Sequence, residues 1–213
     1  MRAGLLLLLL LVSAACNTQS ADALAAGPAS VRERLTAGDT RLLLSPRESA
    51  GTITVQRKIA GGTWETGLVD LAVDNGELVA SADASGVITL ERFAVALAPI
   101  TIPPAVFGRD ASLSNVRAEL EAPVVVTTTW VDDDEARATA TFELAFSWAL
   151  TVEGSTAQLG SPDLPPVTVE LGITGDGTFV HAELRAAATG ELWSWAGLVK
   201  LGDLHLIVGA ATP

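Results

Sequence analysis

Apolar and polar residues alternate along the chain between Val116 and Val152. In the second half of this stretch Ala138, Ala140, Phe142, Leu144, Phe146, Trp148, Leu150 and Val152 hold the even places. Arg137, Thr139, Thr141, Glu143 and Ser147 stand among the odd ones. The first half repeats the pattern, with Val116, Ala118, Leu120, Ala122, Val124, Val126 and Trp130 on one side. Arg117, Glu119, Glu121, Thr127 and Thr129 lie on the other. Successive strand side chains point to opposite faces, so the pattern predicts a ribbon of two long strands, one face apolar and one wet. Asp132-Asp133-Asp134-Glu135 is the turn that joins them.

Further strands are predicted on both sides of the ribbon. Thr52 to Ile59 alternates and is broken by Gly61-Gly62. Leu68 to Val73 and Glu77 to Ala82 flank Asp74-Asn75-Gly76, and Asn-Gly supplies the positive φ of a tight hairpin, so a hairpin is expected there. Val87 to Ile102 is apolar but changes phase. Ile88 and Leu90 share one parity and Phe93, Val95 and Leu97 the other. One extra residue flips the face, so a bulge is expected near Glu91-Arg92. Val167, Val169, Leu171 and Ile173 form an inward row; Phe179–Ala187, Leu192–Leu201 and Leu204–Val208 complete the strands. Ser30 and Glu33 have capping-box spacing ahead of Gly38, so Ser30 to Ala37 reads equally as one short helix or as tether.

Each ribbon strand of about 15 residues spans roughly 50 Å at ~3.3 Å per residue, and twist accumulates over that length. No long amphipathic helix is available to cover the apolar face. The fold class is therefore all-β: a curved antiparallel sheet with long meandering strands, closed into a barrel or a two-layer sandwich. A membrane-spanning barrel needs aromatic girdles and strands of even length. With no Tyr, 5 Trp, 5 Phe and uneven strands, this chain does not fit one.

The amino terminus sets the compartment. Arg2 is followed by an apolar run, Leu5 to Val12, shorter than the ~20 residues of a membrane-spanning helix. Ser13, Ala14 and Ala15 are small, and Cys16 after them is the only cysteine of the 213 residues. These residues resemble the signal and lipobox of bacterial lipoproteins. The family prefers Leu, Val or Ile three places before the cysteine; Ser13 stands there, with Val12 one place earlier. The other reading is an ordinary secretory signal cut after Ala15. The resemblance implies an acylated Cys16 as first mature residue and a membrane as partner through the lipid anchor. Asn17 leans toward the outer membrane rather than the inner. The organisation expected is signal peptide 1–15, lipidated cysteine and tether 16–38, and one β domain 39–213.

Charge narrows the partners. Removing residues 1–15 takes away Arg2 and turns the formal −12 into −13. Such a chain disfavours nucleic acid and anionic headgroups. A single cysteine, lipidated, leaves no disulfide, so stability rests on the apolar core.

Candidate chemistry is sparse. No Gly-x-Ser-x-Gly elbow and no His-Glu-x-x-His motif is present, so no catalytic residue and no cofactor is assigned. His181 and Glu183 share one strand face, and Asp203 and His205 another; on neighbouring strands the four could surround a metal. Asp132 to Glu135 offers carboxylates to a hard cation, but lacks the spaced ligands of an EF-hand loop. Trp130, Phe142, Phe146, Trp148, Trp193 and Trp195 are candidate linings for an apolar ligand, or else core. The expectation is a membrane-anchored periplasmic or surface lipoprotein with a binding or scaffold role. The alternatives are a carrier of lipid or another apolar ligand in a β cavity and, third, a metal-dependent enzyme.

Overall fold

The computed structural model describes residues 29–159, 166–176, 178–195 and 197–213. Residues 1–28, on which the expected signal peptide, Cys16 and most of the expected tether fall, lie outside the described residues. The chain begins with a helix, α1 (Val31–Ala37), followed by β1 (Thr40–Lys58), β2 (Trp64–Leu71), β3 (Val73–Ala82), β4 (Ile88–Leu97) and β5 (Ile100–Ile102). A one-turn helix, α2 (Pro104–Phe107), leads to β6 (Ala111–Leu120), β7 (Val124–Val125), β8 (Thr127–Trp130), β9 (Glu135–Phe142) and β10 (Leu144–Val152). Then come β11 (Ser155–Leu159), β12 (Val167–Gly175), β13 (Val180–Trp195) and β14 (Val199–Ala211). All the strand pairs are antiparallel and belong to one sheet. The all-β expectation holds.

The long ribbon is present. β6 pairs with β10, from Ala111↔Val152 to Leu120↔Leu144, and β8 pairs with β9, from Thr127↔Thr139 to Trp130↔Ala136. Its second strand keeps one parity from Ala136 to Trp148: Ala138, Phe142, Leu144 and Trp148 are buried, while Arg137, Thr139, Thr141, Glu143 and Ser147 are exposed. At the register shift between Ser147 and Ala149 the alternation breaks, and Ala149 and Leu150 are both buried. The first strand keeps no single parity. Between Leu120 and Thr127 it carries more residues than the stretch between Thr139 and Leu144 opposite, and the excess leaves the ribbon. Val124 and Val125 pair instead with Leu90 and Thr89 of β4, and Ala122 turns out to solvent, against the expected inward parity.

That detour closes the sheet. Segment 124–130 hydrogen-bonds to β4 through β7 and to β9 through β8, and the Val126 N–H between them donates to the Ile88 carbonyl at 3.0 Å. The remaining order, β4-β3-β1-β14-β13-β12-β9, completes a ring at this end of the molecule. Toward the other end the ring splits into two layers. The latter parts of β1 and β13, the start of β14, and β2 form one layer. β5, β6, β10 and β11 form the other. Ile53, Leu71, Leu192 and Leu201 of the first layer face Ile100, Leu113, Val116, Phe146 and Trp148 of the second. Barrel and sandwich therefore coexist along one strand direction.

The expected Asn75-Gly76 hairpin does not form. β2 and β3 follow one another along β1, β2 against Gly51–Lys58 and β3 against Thr40–Leu43, so no turn separates them. Asn75 and Gly76 sit inside β3 at a register shift with β4. Gly76 is needed for a close approach, since a Cβ there would lie 2.3 Å from the Ala94 carbonyl oxygen. The bulge expected at Glu91-Arg92 is present. Val79 pairs with Arg92 and Ala80 with Leu90, leaving Glu91 unmatched, so Ile88, Leu90, Phe93 and Val95 are all buried.

α1 caps the closed end. Ser30 Oγ accepts from the Glu33 amide at 3.2 Å, and Glu33 Oε2 accepts from the Ser30 amide at 3.0 Å, which completes the capping box. A helix this short has no stability of its own in water. It is held because Val31 and Leu35 are 0% exposed and belong to the core, so the packed unit reaches back to α1.

Two substitutions test this packing. Leu35→Ala is expected to cost about 2–5 kcal/mol of unfolding free energy, read as a lower urea midpoint. Gly76→Ala forces β3 and β4 apart and is expected to cost about 1–3 kcal/mol. A midpoint unchanged by Gly76→Ala would show that the β3–β4 approach is not tight.

Candidate functional site

The interior is the first place to look for a ligand. Phe142 and Trp148 are each 5% exposed, and Phe146 is half-buried. Phe146 and Trp148 stand with ring centroids 6.4 Å apart and planes at 48°. Two apolar cavities lie between the layers. One, about 40 Å³, is lined by Phe146 and Trp148 with Leu97, Leu113 and Leu201; the other, about 20 Å³, lies beside Phe142, Phe146 and Leu184. A drug-sized ligand occupies roughly 300–1,000 Å³. These spaces are packing gaps lined by apolar atoms, with room for about one water molecule, and their lining does not attract one.

Trp130 lines neither cavity. It stands at the capped end, where its indole N–H donates to the Gly86 carbonyl at 2.7 Å and the Arg32 guanidinium carbon lies 5.3 Å from its ring centroid. It joins α1 to the β3–β4 turn. Nothing is described of the Trp193 and Trp195 side chains.

The acidic turn has a structural task. Asp134 Oδ1 accepts from the Val31 amide at 3.1 Å, and the Asp133 carbonyl accepts from the Arg32 amide at 3.0 Å. Asp132 Oδ1 accepts from the Asp134 amide at 2.8 Å, and the Asp134 carbonyl from the Gly175 amide at 3.2 Å. Arg32 Nη1 lies 3.6 Å from Asp133 Oδ1. These groups meet the orphan donors of the first helical turn. The turn remains exposed and is the seat of α1.

The metal reading fails on register. β13 and β14 are neighbours, but His181 stands opposite Ala211 while His205 stands opposite Ala187. His181 and Ala187 are separated by about 20 Å at ~3.3 Å per residue. Glu183 pairs with Arg185 at 2.7 Å, His181 faces Glu48 at 3.5 Å, and Asp203 accepts from the Gly190 amide at 2.9 Å. Among the described residues no group of three His, Cys, Asp or Glu could hold a metal ion. The metal-dependent enzyme reading loses its site.

Two turn carboxylates are tuned. Asp83 accepts from the Ser85 hydroxyl at 2.6 Å and from the amides of Ser85 and Val87 at 2.8 and 3.0 Å. Asp176 accepts from the Thr178 hydroxyl at 2.7 Å and from the Thr178 and Phe179 amides, both at 3.1 Å. The hydroxyl is the largest influence in each case, and the donors favour the ionised form, so both carboxyls titrate below their usual range. Both turns flank α1: Arg32 Nη2 donates to the Ser85 carbonyl at 3.2 Å and Arg34 Nη1 to the Thr178 carbonyl at 2.8 Å.

Sequence reasoning missed one surface feature. Arg41, Arg92, Arg117, Glu77 and Glu119 ring a depression of about 310 Å³ on the outer wall. The residues come from β1, the consecutive pair β3 and β4, and β6, so the set spans residues 41 to 119. Only the strand order joins them, and no local pattern signals it.

No family model matches the chain, and no curated protein matches it. Among solved structures it is similar to Ail, the attachment invasion locus protein of Yersinia pestis, at 10% identity and a TM-score of 0.36, over 82% of this chain and 98% of that one. A likeness that slight does not carry a function across.

The depressed carboxyl groups give a pH dependence with a definite sign. Each contributes stability that is fully present above the ordinary carboxylate pKa of about 3.9 and is lost as pH falls through the lower folded value. Unfolding free energy should therefore fall as pH drops below about 4. An Asp83→Asn, Asp176→Asn double variant should show a shallower fall in urea titrations run across that range. An unaltered slope would mean that the two turns do not contribute.

Proposed function

We propose that this chain is a lipoprotein of the bacterial cell envelope, tethered through acylated Cys16, whose β domain binds or scaffolds and does not catalyse. The observation that supports it is the sidedness of the barrel. Most outward positions at mid-strand are charged or polar, among them Arg137, Thr139, Glu170, Arg185 and His205, with Leu43, Leu68 and Ile207 as apolar exceptions, and inward positions are apolar and packed. A barrel that spans a membrane has the reverse, lipid-facing apolar residues around a polar interior. Such a domain meets a membrane through an attached lipid rather than through its own wall. The leader and the small-residue run before Cys16 supply the place for that lipid. More than one acyl chain on Cys16 anchors stably, whereas one anchors weakly. Asn17 favours the outer membrane. The two gaps of about 40 and 20 Å³ favour this reading over a lipid carrier, which needs a cavity for an acyl chain.

Metabolic labelling with an alkyne palmitate analogue in a bacterial host is the test. The wild-type chain is expected to carry the label and sediment with membranes; Cys16→Ser is expected to lose the label and leave the membrane fraction. An unlabelled, freely soluble wild type with an amino terminus cut at Ala15 would replace the anchor by an ordinary secretory signal.

A further inference from the structure

We propose that the outer wall of the barrel carries a binding site for a small ligand bearing a phosphate group, seated over Ala94 and Ala96 with Arg117 as its principal contact. The site does not depend on the lipid anchor. Register places it. Arg41 and Arg92 both stand level with Val79; Glu77, Ala94 and Glu119 form the next cross-strand row; Asn75, Ala96 and Arg117 form the third. A strand wall is ordinarily covered by long side chains. Here two alanines leave a floor between arginines, and the depression above it measures about 310 Å³.

The charge of this patch opposes that of the chain. The sequence carries 25 acidic and 13 basic residues, so an average patch is negative. Around this floor three arginines meet two glutamates. Glu77, with its side chain only 15% exposed, is held by Arg41 Nε at 2.7 Å and Arg92 Nη1 at 2.8 Å. One carboxylate thus fixes two guanidiniums, each of which keeps most of its five donors for another acceptor. Their side chains remain 65% and 61% exposed. Arg117 is exposed and has neither an ion pair nor a side-chain hydrogen bond among the described residues. Guanidinium donors on two sides of a small-residue floor suit an oxyanion with several acceptor oxygens, which phosphate supplies. Glu119, level with Ala94 and next to the seat, repels bare polyanions and accepts from ligand hydroxyls, which favours a phosphate ester of a polyol.

The phosphate ester could be a free metabolite or a lipid headgroup, and the experiment separates them. The mature full-length protein, in a non-ionic detergent at fixed ionic strength, is titrated with inorganic pyrophosphate, glycerol 3-phosphate and monomeric dihexanoyl phosphatidylglycerol. The readout is the arginine Nε–Hε resonances. Saturable shifts of Arg117 and Arg92 are expected with at least one phosphate ester. Tighter binding of glycerol 3-phosphate marks a soluble ligand, and tighter binding of the short-chain lipid marks a headgroup. Arg117→Gln should weaken binding about tenfold, and Ala96→Glu, which fills the floor with a like charge, should abolish it. Arg137→Gln, on a distant part of the wall, should leave it intact. Linear shifts that sodium chloride reproduces, or equal binding by Arg117→Gln and wild type, would overturn the site. Loss of the Cys16 lipid would not bear on either result.

Discussion

The covering of one apolar face constrains the whole molecule. The stretch from Ala136 to Val152 presents Ala138, Phe142, Leu144, Trp148 and Leu150 to one side, and among the described residues no long helix shields them. Each fully buried large side chain in such a row is stabilised by about 1.5–3 kcal/mol, so the row cannot be left in water. Sheet must cover sheet. Curling alone leaves two edges with unpaired backbone groups, which invite pairing with other chains. The detour of residues 121–126 removes this difficulty at one end. By leaving β9 and reaching β4, segment 124–125 turns an open order into a ring, and Ala122 is exposed as a consequence.

A ring closed by hydrogen bonds still has an open mouth. α1 fills it with Val31 and Leu35, and the surrounding turns are built to hold it. The acidic turn supplies acceptors to the first helical amides, and the β3–β4 and β12–β13 turns supply carbonyls to Arg32 and Arg34. Gly175 belongs to the same seat: a Cβ there would come within 2.8 Å of Val31 Cγ2 and 2.2 Å of the Phe179 carbonyl oxygen. The tuned carboxylates of Asp83 and Asp176 stiffen two of these turns from within. Helix, turns and carboxylates therefore act as one lid.

What the sequence made legible was local. Parity revealed the inward rows at 138–152 and 167–173, because a period of two survives any choice of partner. The phase change between Leu90 and Phe93 revealed the Glu91 bulge for the same reason. Ser30 and Glu33 left a short helix and a tether equally open, and the capping box forms. Illegible were the features that depend on which strands meet. Asn75-Gly76 has the chemistry of a hairpin turn, yet β1 is long enough to take β2 and β3 in succession, and the glycine serves close strand approach instead. His181, Glu183, Asp203 and His205 lie on paired strands, yet the register slides the two histidines apart. Trp130 shares parity with the core but stands at the mouth, where an indole N–H finds a carbonyl. The outer-wall arginines were invisible for the same reason, since strands β1, β3, β4 and β6 converge only in the folded sheet.

Charge and geometry together bear on how a tethered barrel would stand above a membrane. In the proposed reading the tether enters α1, so the lid is the end nearest the anchor. That end carries Asp83, Asp132, Asp133, Asp134 and Asp176 against Arg32 and Arg34, so acidic groups outnumber basic ones and anionic headgroups repel it over about one Debye length, ~8 Å at physiological salt. Residues 17–29 can extend to about 45 Å at ~3.3–3.6 Å each, several times that distance. In that reading tether length permits, and lid charge favours, a domain that stands off the bilayer. On the same reading the wall that carries Arg41, Arg92 and Arg117 faces the aqueous space.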